Sequence, residues 1–153
     1  MSDDTHVDLA AASNEFRRPR LIRFSDCDPA GIVFYPQYFV MLNGLIEDWV
    51  NEGLELSYHG LVAQRRIGLP TVKLDVDFRA VSRMGDQVLL GLTVQRLGSR
   101  SMTLAVRCFS AETGEVRMQM TQVIVTTSLE THRAVAIPDD MRLAILRNAP
   151  ELG

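Results

Sequence analysis

Phe24-Ser-Asp-Cys-Asp-Pro-Ala-Gly-Ile-Val-Phe-Tyr-Pro-Gln-Tyr-Phe39 places a carboxylate-rich turn and a glycine directly ahead of a helix that begins at a proline. Pro29 biases Asp28 away from helical angles, so this carboxylate belongs to a turn. From Pro36 onward Tyr38, Met41, Leu42, Leu45, Ile46 and Trp49 follow the i, i+3, i+4 spacing of a helix, and Gly53 supplies its stop. Phe39 and Val40 widen the apolar surface beyond one stripe, which predicts deep burial of the first half of the helix. Gly44 in its interior costs about 1 kcal/mol against alanine, and close packing on a sheet would account for it.

On either side of this helix the pattern is that of strands. Leu21, Ile22 and Phe24 form a short apolar stretch, read as a first strand, with order starting near Arg18. Residues 1–17 mix Asp, Ser, Thr, Asn and Ala without periodicity and are expected to form a flexible tail ahead of a single domain over 18–153. Ser57 to Gln64 is compatible with a short second helix. After Gly68-Leu-Pro the period becomes two: Val72, Leu74, Val76, Phe78 and Ala80 alternate with Lys73, Asp75, Asp77 and Arg79. Val88 to Arg96, Met102 to Ser110 and Val116 to Thr127 follow as strands, separated by turns at Arg83-Met-Gly-Asp86, Gly98-Ser-Arg100 and Glu112-Thr-Gly-Glu115. Three hairpin links predict an antiparallel meander, and Ile137-Pro-Asp-Asp140 opens a terminal helix over 141–147. A strand, a long buried helix and four antiparallel strands make an α+β chain in which one sheet wraps one helix. That is the hot-dog architecture, and its open sheet edge calls for a second subunit.

The chain has 153 residues, 46% of them hydrophobic, and a formal charge of −3. This is enough for one core, and it gives no basic footprint for nucleic acid or anionic lipid. The acidic start lacks a signal-peptide pattern, and no apolar run approaches the roughly 20 residues of a membrane span. Cys27 and Cys108 are expected to be reduced thiols, and the protein to be cytoplasmic. His6, His59 and His132 have no zinc-ligand spacing, so no metal is expected.

The chemistry concentrates at the start of the helix. Its N–H groups lie at the positive end of the macrodipole and can hold an oxyanion beside a carboxylate able to attack or to activate water. Pro36 has no N–H, which leaves those of Tyr35 and, less directly, Gln37 and Tyr38. Asp28 on its own would more often cap a turn, and Asp26 is expected to orient the loop by accepting backbone N–H bonds. Cys27 has no histidine nearby to make it a nucleophile and is expected to be a packed thiol.

Asp26-Cys-Asp-Pro-Ala-Gly-Ile-Val-Phe-Tyr-Pro-Gln-Tyr38 resembles the signature of the 4-hydroxybenzoyl-CoA thioesterase family, and the order of elements from about Arg18 to Ala149 agrees with it. The resemblance implies that Asp28 is the catalytic carboxylate and that the Tyr35 N–H polarises the thioester carbonyl. It implies a site at a subunit interface, a dimer or a tetramer, and no cofactor beyond the coenzyme A of the substrate. Asn43 stands where related sequences often carry an acidic residue, which makes it a candidate for the acyl pocket. Arg100 is the candidate contact for coenzyme A phosphates, with Arg65, Arg66, Arg96 and Arg133 behind it.

The function expected is hydrolysis of a small acyl-CoA, aromatic or short-chain, to free acid and coenzyme A. Two alternatives stand beside it: a thioesterase for acyl groups held on a carrier protein or a partner enzyme, and a non-catalytic acyl-CoA-binding subunit that keeps the fold for assembly.

Overall fold

In a computed structural model, which describes residues 5–153, β1 (Phe16–Leu21) leads through the quoted turn into α1 (Pro36–Asp48). The helix continues as a π-helical segment, Trp49–Gly53, and ends at the glycine its sequence marks as a stop. A helical turn at Gly60–Gln64 and the short β2 (Ile67–Gly68) precede β3 (Thr71–Phe78), β4 (Gln87–Leu97), β5 (Ser101–Ser110), β6 (Val116–Val125) and β7 (Thr127–Ser128). The last helix, α2, spans Asp139–Asn148. The large sheet is antiparallel, in the order β1-β4-β5-β6-β3, and β2 pairs separately with β7. It wraps α1 in the α+β hot-dog arrangement.

The sheet turns one face to the helix because its strands alternate. Met102, Leu104, Val106 and Cys108 of β5 and Met118, Met120 and Ile124 of β6 are buried there against Tyr38, Met41, Leu42, Leu45 and Ile46 of α1. The other face carries Lys73, Asp75, Asp77, Gln95, Gln119 and Thr121, with a small apolar cluster of Val7, Phe109 and Val116 at one end.

Four expectations change. The strand expected around Leu21 to Phe24 lies earlier, over Phe16–Leu21, while Phe24–Asp26 is a 3-10 turn. Within the stretch read as a tail, Val7 is buried and donates to Gly114 O at 2.8 Å, and Phe16 and Arg17 already belong to β1; residues 1–4 lie outside the described residues. The meander is shorter than expected. β4, β5 and β6 are joined by hairpins, but β3 pairs with β6 at the far edge and not with β4. Residues 79–86 cannot reverse the chain as a tight turn because their backbone is bonded elsewhere: Ser82 O accepts from Val33 N–H, Gly31 O from Met84 N–H, and Ile22 O from Gly85 N–H.

The fourth change concerns α1. The sequence predicts deep burial of its first half, yet Val40 is 64% exposed, and Asn43 and Gly44 are exposed beside it. A Cβ on Gly44 would meet nothing within 4 Å, so sheet packing does not explain that glycine. On β3 the apolar row also runs beyond its cover, with Val72, Leu74 and Phe78 exposed.

Replacing Leu45, buried at the centre of α1, by alanine should lower stability by about 2–5 kcal/mol in urea denaturation. A second measurement tests the stitched loop at 79–86. Burial alone would raise the Asp86 carboxyl, but hydrogen bonds from the Arg83 N–H and from Arg117 outweigh it and hold the group below 3.8. A depressed folded value stabilises the protein above the unfolded carboxylate range and loses that contribution as pH falls through the folded value. Asp86→Asn should therefore destabilise the protein at neutral pH and flatten its loss of stability in acid.

Candidate active site

Residues 26–34 fold back on themselves. Cys27 bridges Val33, Asp28 N–H donates to Ile32 O at 3.0 Å, and Phe34 N–H donates to Asp26 O at 3.0 Å. The reversal runs through Asp28-Pro29-Ala30-Gly31, closed by Gly31 N–H on Asp28 O at 2.9 Å, and Gly31 has φ +79°, a region that favours glycine. Asp28 is half-buried at the mouth of this reversal, and its Oδ1 accepts from Ala30 N–H at 2.9 Å. The turn-capping bond expected of an aspartate before proline is thus present, and it uses one carboxylate oxygen.

Asp26 orients the loop, as its position suggested. It is buried, takes the Arg23 N–H on Oδ2 at 2.8 Å, and takes Arg20 on Oδ1 at 3.1 Å. Desolvation, and then the Asp26 and Asp28 carboxylates, push the Cys27 thiol up, which opposes a nucleophilic thiolate.

The donors at the start of α1 can be narrowed by elimination. Phe34 N–H is held by Asp26 O, Pro36 has none, Gln37 N–H turns back to Phe34 O at 2.8 Å, and Tyr38 N–H to Tyr35 O at 3.2 Å. Tyr35 N–H has no partner among the described residues. The Tyr35 ring is exposed and meets Phe34 and Phe78 edge-on, at centroid distances of 5.5 and 6.0 Å. Phe78 also lies against Tyr38 and Phe39, so an aromatic wall runs along the first turn of the helix.

Two residues that fix this arrangement were not singled out in the sequence. Tyr38 Oη donates to Ser82 Oγ at 2.9 Å in the interior, while Ser82 O takes the Val33 N–H at 2.9 Å. One serine therefore ties the first turn of α1 to the return strand of the Asp28 loop. Phe78 was legible only as one apolar position in a strand. Ser82 sits in a turn with no local feature to mark it.

The substrate-contact candidates divide. Asn43 is exposed on α1 and lines a groove with Phe39, Leu74 and Gln122. Arg100 lies in the β4–β5 turn, whereas the Asp28 loop is bonded to Ser82 and Met84, just ahead of the opposite end of β4, an eleven-residue strand about 30 Å long. One chain does not bring Arg100 to Asp28. Arg65 is engaged by Asp140 at 2.8 Å. Among the described residues no three His, Cys, Asp or Glu side chains cluster as a metal site, and no helix is long and apolar enough to cross a membrane.

Burial pushes the Tyr38 phenol up from 10.0 to about 12, with the Ser82 bond opposing the shift. A raised folded value leaves the stability contribution intact below pH 10 and removes it as pH rises toward 12. Chemical denaturation across that range should show a steeper alkaline loss for the wild type than for Tyr38→Phe.

The model of the thioesterase-like superfamily matches residues 22–145 of this chain. A 1,4-dihydroxy-2-naphthoyl-CoA hydrolase of Synechococcus sp. strain WH7803 is 31% identical over 143 residues, covering 86% of this chain and 88% of that protein. The crystal structure of the 1,4-dihydroxy-2-naphthoyl-CoA thioesterase of Synechocystis superposes with a TM-score of 0.78 at 24% identity, covering 86% of this chain and 95% of the other. That of 4-hydroxybenzoyl CoA thioesterase from Pseudomonas sp. strain CBS-3 superposes with a TM-score of 0.75 at 22% identity, covering 86% and 99%. With the match spanning the Asp28 loop, α1, every strand of the sheet but β1 and most of α2, the chain belongs to the thioesterase-like superfamily and is a thioester hydrolase on the hot-dog fold.

Proposed function

We propose that this enzyme hydrolyses an aromatic acyl-CoA to the free acid and coenzyme A, with Asp28 as the catalytic carboxylate and the Tyr35 N–H as the oxyanion donor. The observation that carries the reading is the unpartnered Tyr35 N–H at the start of α1, in fixed register with Asp28 through the paired segments 26–28 and 32–34. The carbonyl oxygen of the thioester lies on that N–H, where a backbone donor is typically worth about 2.7–4 kcal/mol in the transition state. The free Asp28 oxygen attacks the carbonyl carbon or draws a proton from an attacking water, and the thiolate of coenzyme A leaves without needing a strong acid. An aromatic acyl group is favoured by the wall of Phe34, Tyr35, Phe39 and Phe78, and by relatives named for naphthoyl and hydroxybenzoyl substrates.

We infer further that the working unit is at least a dimer in the cytoplasm. The outer edge of β3 has no strand beside it among the described residues, and Leu74 and Phe78 stand exposed next to the Val40, Asn43 and Gly44 face of α1. Antiparallel pairing of β3 with its copy would cover this edge and bring a second α1 against the open glycine. A pair of such dimers is the route by which Arg100 of another chain could meet coenzyme A at this site. Both cysteines are free, in keeping with a reducing compartment.

Thiol release from aromatic, short-chain and long-chain acyl-CoAs should single out the aromatic esters. Asp28→Asn should cut turnover at least about a hundredfold while folding normally, whereas Tyr35→Ala should retain most of kcat because its donor is main chain. Undiminished turnover in Asp28→Asn would remove that carboxylate from the mechanism, and acyl transfer from a carrier protein alone would favour that other substrate class. Leu74→Lys should shift the assembly toward monomer in sedimentation velocity.

A further inference from the structure

Among the described residues three shielded side-chain atoms lack a hydrogen-bond partner: Arg20 Nε and Arg117 Nε, whose guanidinium groups lie against Asp26 and Glu115, and a single acceptor, Gln122 Oε1. Asp26, Ser82, Ser110 and Thr126 are all hydrogen-bonded. Gln122 is 6% exposed, and while its Nε2 donates to Thr71 Oγ1 at 2.7 Å, its Oε1 is shielded from solvent with no partner among the described residues. It stands on the helix-facing side of β6 between Met120 and Ile124, where the alternation asks for an apolar side chain. An open buried acceptor at such a position is costly compared with a leucine or methionine of similar size.

Gln122 lines a groove of about 370 Å³ between α1 and the β3–β6 pair, with Phe39, Leu42, Asn43, Leu74 and Met120. The lining carries no charged side chain. Such a groove suits a flat apolar body, and its orphan acceptor suits a neutral O–H better than an ammonium, which would find no counter-charge. The terminal torsion of a glutamine is broad, so a small rotation turns the carboxamide toward a ligand.

The groove adjoins the candidate active site through Phe39, which lines it and meets Phe78, the ring that in turn meets Tyr35. Phe78, against Tyr35, pairs with Met118, and Leu74 pairs with Gln122 four residues further along β6, on the order of 13 Å away. Asn43 lies eight residues beyond Tyr35, about 12 Å along the helix axis. The strand register puts Gln122, and the helix rise puts Asn43 across the groove from it, at the far end of an acyl group whose carbonyl lies at Tyr35.

We propose that Gln122 is a specificity residue that accepts a hydrogen bond from a hydroxyl on the edge of the aryl group remote from the thioester. The proposal rests on the acyl-CoA thioesterase reading above. The dimer proposed above seats a second copy at the Val40, Asn43 and Leu74 rim of this groove; a copy that fills the groove down to Gln122 is the competing occupant, and the test separates the two.

The probes are the uncleavable ketone thioethers Ar–CO–CH2–S–CoA, with Ar either 2-naphthyl or 6-hydroxy-2-naphthyl, titrated calorimetrically into the wild type, Gln122→Leu and Gln122→Met. Thiol release from the two corresponding thioesters is followed in parallel. The wild type should bind the hydroxylated thioether at least about tenfold tighter, and each variant should lose that preference by weakening the hydroxylated ligand alone. Equal affinities in the wild type overturn the proposal whether or not a variant folds. So does a preference unchanged by either substitution. An equal loss for both ligands, or a change in oligomeric state, assigns Gln122 to the subunit interface and also overturns it. Selective binding without cleavage of either ester leaves Gln122 its role and refutes the thioesterase reading; cleavage without selectivity does the reverse, and neither binding nor cleavage refutes both.

Discussion

The backbone pairing between residues 26–28 and 32–34 is the constraint on which the rest of the site depends. Asp28 lies on one arm of this reversal and the chain leaves the other arm directly into Tyr35 and the helix, so the three hydrogen bonds across it fix the register between the carboxylate and the open N–H. The pairing is local, but a local hairpin of this length would not persist alone. It is held from outside by Ser82, whose carbonyl takes Val33 and whose hydroxyl takes Tyr38, and from below by Asp26, which binds Arg23 and Arg20. The Tyr38–Ser82 bond is buried and the two to Asp26 are partly so, and because an unmade bond is expensive away from water they leave the loop little freedom to drift.

The helix serves the site in two ways. Its buried stripe of Met41, Leu42, Leu45 and Ile46 anchors it on the sheet, so that its N-terminus has a fixed place. Its proline at the first position removes one N–H while Gln37 and Tyr38 consume their own in turns, and the macrodipole is presented through a single open donor. The opposite face of the same helix, at Val40, Asn43 and Gly44, is left uncovered beside an uncovered strand edge. The anchoring stripe, the open donor and the uncovered face thus fall on different faces and ends of one element.

Much of the fold was legible because its signals are short-ranged. The 3.6-residue period over 36–49 and the period of two over the strands are properties of consecutive side chains, and the hairpins β4–β5 and β5–β6 carry their own turn residues. The placement of β3 was not legible. Its alternation fits any neighbour, and the choice of β6 over β4 is made by bonds from residues 79–86 to Gly31, Val33 and Ile22, some fifty residues or more upstream. The exposure of Val40 and Gly44 was hidden for the related reason that an apolar helix face reads the same whether its own sheet or another molecule covers it.

The sequence by itself determined the helix, strands β3 to β6, the carboxylate-bearing turn and the proline that strips the helix start of one donor, because each follows from the chemistry of neighbouring residues. Tertiary structure alone decided that Tyr35 keeps the free N–H, that Arg100 lies at the far end of the sheet from Asp28, and that Tyr38 reaches Ser82 while Gln122 is buried with an open oxygen. Those outcomes depend on which distant groups meet, and hydrogen-bond satisfaction in a closed interior is a property of the whole packed chain rather than of any segment of it.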